Sequence, residues 1–277
     1  MLLLFRLRRN NNNKLVSRRF DGGRPAYNQS VEEHWAILWF DSGLRELLAR
    51  KLQAQAEVRI AFKEAPAVKH LVESLGVPHT EIGAVRFNGQ PAGLERQVQP
   101  GDRVELFAVP DGQGSCTLPG EAHFIADNHL GRLAAYLRML GLDTLYRNDY
   151  QDEELAQVSE SEGRILLTRD RRLLMRRAVT YGCCLRSLQP GEQFIQVARR
   201  YGLAGQARPF WRCLRCNGLL QPVDKAAVLE QLQPLTRRYF DSFALCPACG
   251  QVYWQGSHYE HMQILLESIC SQDNPRI

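Results

Sequence analysis

Four cysteines fall in two pairs, Cys213-x-x-Cys216 and Cys246-x-x-Cys249, with 29 residues between the pairs. Each pair opens a knuckle, Cys213-Leu-Arg-Cys-Asn-Gly and Cys246-Pro-Ala-Cys-Gly. The Asn or Gly after the second cysteine allows the tight turn that aims two sulfurs and nearby N–H groups at one ion. Four thiolates close a tetrahedral zinc site and leave no position open for substrate. An iron–sulfur cluster or a rubredoxin-like iron is the alternative occupant; zinc is the expected one. Its role is structural, because the ribbon between the pairs is too small to build a core of its own. Trp211, Tyr253 and Trp254 flank the knuckles and are expected to pack on the ribbon, with base stacking as the competing use.

A second group is acidic. Asp127 directly follows the apolar run Phe124-Ile125-Ala126, and Asp170 closes Leu-Leu-Thr-Arg-Asp. In a parallel α/β sheet the strand C-termini share one edge, and ligands bind in the crevice beyond it. These two carboxylates are therefore expected to meet. Asp149 and Asp152 lie in a loop and at a helix start near the same edge. Several carboxylates in one crevice repel each other unless a cation neutralises them. Oxygen-only ligands suit Mg²⁺ or Mn²⁺, which can activate water and stabilise an in-line phosphoryl displacement. The blander uses are an N-cap for Asp152, a turn for Asp149 and a surface position for Asp143.

The elements that must position these groups follow from periodicity. Phe124–Ala126, Thr144–Arg147, Arg164–Thr168 and Cys183–Leu185 read as short apolar strands. They alternate with helices marked by Leu130, Leu133, Leu137 and Leu140, by Leu155, Ala156 and Val158, and by Pro190–Tyr201. This alternation predicts a parallel α/β sheet. Ahead of it, Trp35–Phe40 and the alternating Glu57–Phe62 read as a strand pair. A helix follows at Pro66–Leu75, then Val85–Asn88 and Arg103–Val109 as further strands. Leu44–Leu52 is either a short helix or a loop. Behind the sheet, Pro222–Tyr239 looks helical, and a last helix is expected over His258–Ile269.

The chain has 277 residues, 44% hydrophobic and 23% charged, with net charge +5. That composition excludes a wholly disordered or fibrous protein. No apolar run approaches the ~20 residues of a membrane helix. Residues 1–30 carry seven Lys/Arg against one Asp, and residues 164–215 carry twelve Arg against Asp170 and Glu192. The first stretch is expected to be a disordered leader; its short apolar start precedes rather than follows the charge, unlike a secretory signal. The second stretch points to a polyanionic partner or a solvated face. Cys183, Cys184 and Cys270 read as buried small hydrophobes and Cys116 as an incidental thiol. The thiols are expected to be reduced, in the cytoplasm. Nothing in the sequence fixes an oligomeric state.

Two resemblances now attach. "LVESLGVPH", "VRFNGQP" and "LERQVQPGDRVELFAVP" resemble the β-grasp, ubiquitin-like family, with a closing turn typical of its sulfur carriers. The last strand here runs on into Pro110-Asp111-Gly112, without the free Gly-Gly carboxylate a carrier needs, so this domain is expected to recruit a protein partner. "FIADNHLGRLAAYLRMLGLDTLYRND", "DEELAQVSESEGRILLTRDRRLL" and the cysteine pairs resemble the PIN-like RNase family named for the C-terminal domain of the mutator-seven exonuclease. The implied architecture is a leader at 1–30, a ubiquitin-like α+β β-grasp domain at 31–112 and a linker at 113–120. A PIN-like parallel sheet flanked by helices follows at 121–208, then a zinc ribbon and C-terminal helix at 209–270.

The resemblance implies a Mg²⁺- or Mn²⁺-dependent ribonuclease. Asp127 and Asp170 would hold the metal, and Asp152, with Asp149, would complete the site. Arg169, Arg171, Arg172, Arg176 and Arg177 would contact RNA phosphates, with a solvated helix face as the other use. Thr168 would position a water or a phosphate oxygen. His258, in a segment matching the family's stretch after the ribbon, would be an RNA contact or a packing residue; His261 is expected at the surface. The usual PIN pattern also carries a helix Glu between the first two acids. This chain has none between Asp127 and Asp152, and Asp149 stands in its place. The alternative function is an RNA- or ribosome-binding protein that keeps the fold and cleaves nothing.

Overall fold

A computed structural model describes residues 34–112 and 121–256. The leader, the linker and the helix expected over 258–269 lie outside them, as do Cys116, His258, His261 and Cys270. The chain divides into two compact units that part between Ala108 and Val109.

In the first unit β1 (His34–Phe40) is followed by a short α1 (Ser42–Arg45), β2 (Glu57–Phe62), α2 (Val68–Ser74), β3 (Ile82–Phe87), β4 (Gln90–Ala92) and β5 (Arg103–Ala108). The sheet order is β2-β1-β5-β3-β4. β1 and β5 pair in parallel at its centre, and the other pairs are antiparallel. This is the β-grasp order, with Leu38, Phe40, Leu71, Phe87 and Leu106 buried. Asp41 fixes the corner after β1, accepting from Leu44 N–H at 2.9 Å and from Ala108 N–H at 2.7 Å. Of the Leu44–Leu52 stretch only Leu44 and Arg45, the end of α1, are helical, yet Leu44, Leu47, Leu48 and Leu52 are all buried. Their spacing reflects burial beneath a chain of turns.

The second unit begins with β6 (Phe124–Ala126), α3 (Gly131–Met139), β7 (Thr144–Tyr146), α4 (Asp152–Glu162), β8 (Ile165–Thr168), α5 (Arg171–Leu174), β9 (Gly182–Cys184) and α6 (Pro190–Tyr201). The four strands run in parallel in the order β7-β6-β8-β9. β6, β8 and β9 are buried throughout, which explains why they read as unbroken apolar runs. Cys183 and Cys184 lie buried in β9. At the end of α3 the chain reverses at Gly141, with φ +83°. A Cβ there would come within 2.4 Å of the Arg208 carbonyl, so only glycine lets the later segment pack so close.

The ribbon follows as β10 (Gln221–Val223), α7 (Lys225–Val228), α8 (Pro234–Tyr239), β11 (Phe243–Leu245) and β12 (Val252–Trp254). Its strands form an antiparallel sheet in chain order. The continuous helix expected over Pro222–Tyr239 is therefore corrected to a strand and short helical pieces. Pro222 opposes Ala244 in the β10–β11 pair, and Pro234 starts α8. A proline is tolerated at a strand edge or a helix start and not inside one long helix. The ribbon's own core is Val228, Leu232, Phe243 and Val252. Among the described residues, no helix is long and apolar enough to cross a membrane.

Candidate functional site

β6 and β8 are neighbours, with Ala126 opposite Leu167. The residues that follow them emerge at the same carboxyl edge, where Asp127 N–H donates to the Leu167 carbonyl at 3.0 Å. Thr168, fully buried, stands between the two acids. Its hydroxyl donates to Asp127 Oδ2 at 2.6 Å and accepts from Asp170 N–H at 2.9 Å. Asp127 Oδ1 also accepts from Asn128 N–H at 2.6 Å. Asp170 caps α5, accepting from Arg172 N–H at 2.7 Å. One hydroxyl thus bridges the Asp127 carboxylate and the Asp170 backbone N–H, while the Asp170 carboxylate itself faces the start of α5. The Thr168 proton is engaged by Asp127 and one lone pair by the Asp170 N–H, which leaves one lone pair to accept from a water. Thr168→Val is expected to keep the fold and to slow any reaction at these acids about 10- to 100-fold, the usual cost of losing a group that orients metal ligands. Cleavage rate against thermal stability separates the two effects.

Asp149 and Asp152 are held apart from that pair. Asp149 is exposed and accepts from Arg147 at 3.0 Å. Asp152 is exposed and lies 3.4 Å from Arg176, which also pairs with Glu153 at 2.9 Å. Asp152 is the first residue of α4 and not its cap. Gln151 caps the helix in a reciprocal pair with Glu154. Arg169, Arg171, Arg172 and Arg177 are exposed beside Asp170 in the chain, and Arg176 is half-buried. Asn128 is a residue that sequence reasoning misses. Its side-chain oxygen is buried and accepts no hydrogen bond. An orphaned oxygen next in the chain after Asp127 suits a cation, and with the carboxylates it makes an all-oxygen donor set. Its polarity right after a buried strand was the available signal.

The cysteines form the other centre. The sulfurs of Cys213, Cys216, Cys246 and Cys249 all lie within 4.8 Å of one another. Cys213 and Cys249 are 3.5 Å apart, and Cys216 and Cys246 are 3.4 Å apart. Zinc–sulfur bonds of ~2.3 Å in a tetrahedron require sulfurs ~3.8 Å apart, so the donor set fits zinc. Among the described residues this is the only cluster of three or more His, Cys, Asp or Glu side chains that converges so closely. The two knuckles repeat one hydrogen-bond pattern. Cys213 N–H donates to Gly218 O and Asn217 N–H to Cys213 O; Cys246 N–H donates to Gln251 O and Gly250 N–H to Cys246 O. Asn217 and Gly250 both have positive φ, at +68° and +72°, as their places after the second cysteine predict. Burial pushes the Cys213 thiol up, but the Tyr253 hydroxyl and the N–H groups of Cys216 and Arg215 outweigh it and bring it from 9.0 down to about 7. Tyr253 packs on the knuckle with its hydroxyl 3.1 Å from Cys213 Sγ. Trp254 tilts against Phe240 and Phe243. Trp211 is half exposed.

A buried polar cluster joins this centre to the sheet. Asp143, expected at the surface, is half-buried instead. It pairs with Arg164 at 2.8 Å and Arg212 at 3.2 Å and accepts from Asn217 at 2.8 Å. Burial alone would raise its pKa, but the hydrogen bonds from Arg164 and Asn217, with both arginine charges, hold it below the ordinary carboxylate value. A depressed folded pKa gives stability that is present above the unfolded value of about 3.9 and is lost as pH falls through the folded one. Asp143→Asn is expected to cost about 3 kcal/mol at neutral pH. The gap from wild type should begin to narrow near pH 4 and close only as pH falls through the depressed folded value, measured by denaturant melts across pH.

Together these features define a parallel α/β domain with an acidic edge, backed by a four-cysteine ribbon and preceded by a ubiquitin-like domain. The family profile "Mut7-C RNAse domain" matches residues 122–266, and "Mut7-C ubiquitin" matches residues 35–112. The chain belongs to the Mut7-C RNase domain family. It is 33% identical over 174 residues to the exonuclease mut-7 homolog of Homo sapiens, covering 58% of this chain and 20% of that protein. The chain therefore spans only about a fifth of that relative. No solved structure matches it.

Proposed function

We propose that the chain is a divalent-metal-dependent ribonuclease whose site is built on Asp127 and Asp170. What supports the reading is the placement of Asp127 and Asp170 after neighbouring strands at the carboxyl edge of a parallel sheet, with the Thr168 hydroxyl bridging the Asp127 carboxylate and the Asp170 N–H, in a nuclease-related family. Asp127 and Asp170 would hold Mg²⁺ or Mn²⁺, with the Asn128 oxygen as a neutral donor. When bound there, such a cation supplies Lewis-acid polarisation of a phosphate and a lowered pKa for the attacking water. Thr168 fixes the orientation of the Asp127 carboxylate and holds the backbone of Asp170. Arg169, Arg171, Arg172 and Arg177 neutralise the RNA backbone and set its path across the edge. Asp152, with Asp149, would complete the site or orient the water; in this structure they pair with Arg176 and Arg147. Zinc in the four cysteines is structural, and the ubiquitin-like domain recruits a protein partner. Cysteines used to hold a metal suit a reducing compartment, and the expected location is the cytoplasm.

The second reading is an RNA- or ribosome-binding protein without cleavage. It is favoured by the missing helix Glu and by the pairing of Asp149 and Asp152 with arginines. Incubating the zinc-loaded chain with single- and double-stranded RNA in Mn²⁺, Mg²⁺ or excess EDTA separates the two. Cleavage that requires Mn²⁺ or Mg²⁺ supports the nuclease. Salt-sensitive binding with intact RNA supports the binding protein.

A further inference from the structure

Arg138, on α3, is only 4% exposed. Its Nε donates to the Thr144 carbonyl, at the start of β7, at 2.9 Å. Its Nη1 donates to the carbonyls of Leu214 at 2.9 Å and Arg215 at 3.1 Å. Leu214 and Arg215 are the two residues between Cys213 and Cys216, so the guanidinium is docked on the back of the first knuckle. Among the described residues, no carboxylate lies within ion-pair distance of it. Two other arginines in the same cluster do have such partners: Arg164 pairs with Asp143 and Glu162, and Arg212 pairs with Asp143.

A buried guanidinium without a carboxylate needs another source of negative charge. The Arg138 guanidinium lies against the backbone carbonyls of Leu214 and Arg215, between two cysteines that become thiolates when they hold a metal. A zinc ion held by four thiolates carries a net charge of about −2. We propose that Arg138 is the counter-ion and outer-sphere positioning residue of the four-cysteine centre. It ties the charge of that centre to α3 and β7. The proposal rests on the reading that the cysteines hold zinc. The coupling runs both ways. Metal in the cysteines steadies β7, and from β7 the Tyr146 hydroxyl donates at 3.0 Å to the carbonyl of Asn128, beside Asp127. The zinc centre is thereby part of the support of the acidic edge.

The test is zinc affinity of the full chain, measured by competition with a chromogenic chelator, for wild type, Arg138→Met and Arg138→Lys. Affinity is expected to fall ten- to hundredfold in Arg138→Met, with part recovered in Arg138→Lys. The rise in melting temperature on adding zinc should be smaller in Arg138→Met than in wild type. Without metal, Arg138→Met should lose less stability relative to wild type than it does with zinc, because it then lacks only the hydrogen bonds to the Thr144, Leu214 and Arg215 carbonyls. If Arg138→Met does not fold, Arg138→Gln, which is neutral but keeps donors for the knuckle carbonyls, should show the affinity loss. Wild-type affinity in the neutral variants would overturn the counter-ion role alone. So would an equal loss of stability with and without zinc, or failure of both neutral variants to fold at any zinc concentration. A wild-type chain that binds no zinc would overturn the metal reading and this proposal with it.

Discussion

Cys213→Ser or Cys246→Ser is expected to abolish zinc binding and unfold the ribbon, from about Trp211 to Trp254. Among the described residues, the ribbon's own core has four buried side chains, Val228, Leu232, Phe243 and Val252, with Val223, Phe240 and Leu245 partly buried against them. So small a core cannot offset the ordering entropy of that many residues. The metal must supply the difference, and structural zinc in small domains binds with an apparent free energy of about 10–16 kcal/mol. The loss should also reach the α/β sheet, because Arg138, Asp143 and Asn217 are shared between the two parts. Thr144 N–H donates to the Asn217 side chain at 3.1 Å, so the first residue of β7 loses a partner when the knuckle opens. Zinc content, limited proteolysis and the fluorescence of Trp211 and Trp254 check this. A serine variant that melts like wild type and resists protease would contradict it.

Asp127→Asn and Asp170→Asn are each expected to reduce metal-dependent RNA cleavage at least ~10³-fold, a loss of about 4 kcal/mol of transition-state stabilisation. Asparagine preserves shape at both places. At 127 it still offers an oxygen to the Thr168 hydroxyl, and at 170 it remains a good cap for α5. The fold should therefore survive, and the loss reports on charge. RNA affinity should stay within a few-fold of wild type, because the arginines are unchanged. Single-turnover cleavage, RNA binding and melting temperature, measured on the same preparations, separate these effects.

Much of this architecture is legible in local sequence, and the reasons are particular. β6, β8 and β9 are apolar because each is buried throughout, β9 even as an edge strand of the parallel sheet. Gly141 marks the end of α3, as its positive φ requires. Asn217 and Gly250 stand where the knuckles need a left-handed residue. What is not legible depends on distant partners. Asp143 looks like a surface residue until Arg164 and Asn217, 21 and 74 positions away, close around it. Arg138 reads only as the charged end of an amphipathic helix, and its partners lie 76 and 77 positions on. Thr168 is an ordinary strand residue until the strand order places Asp127 beside it. The helical pattern over Pro222–Tyr239 misleads because Val228 and Leu232 share a small core reached through a turn. Asp152 looks like a cap because an acid suits the first turn of a helix, whichever residue precedes it.

The most direct test of the central claim is the rate of cleavage of a labelled RNA as Mn²⁺ is titrated into zinc-loaded protein, for wild type, Asp127→Asn and Asp170→Asn. The account predicts cleavage by wild type that saturates with Mn²⁺, stops in EDTA, and is at least ~10³-fold slower in both variants while they remain folded. Cleavage that persists in EDTA, or that proceeds at the wild-type rate in either variant, would contradict it.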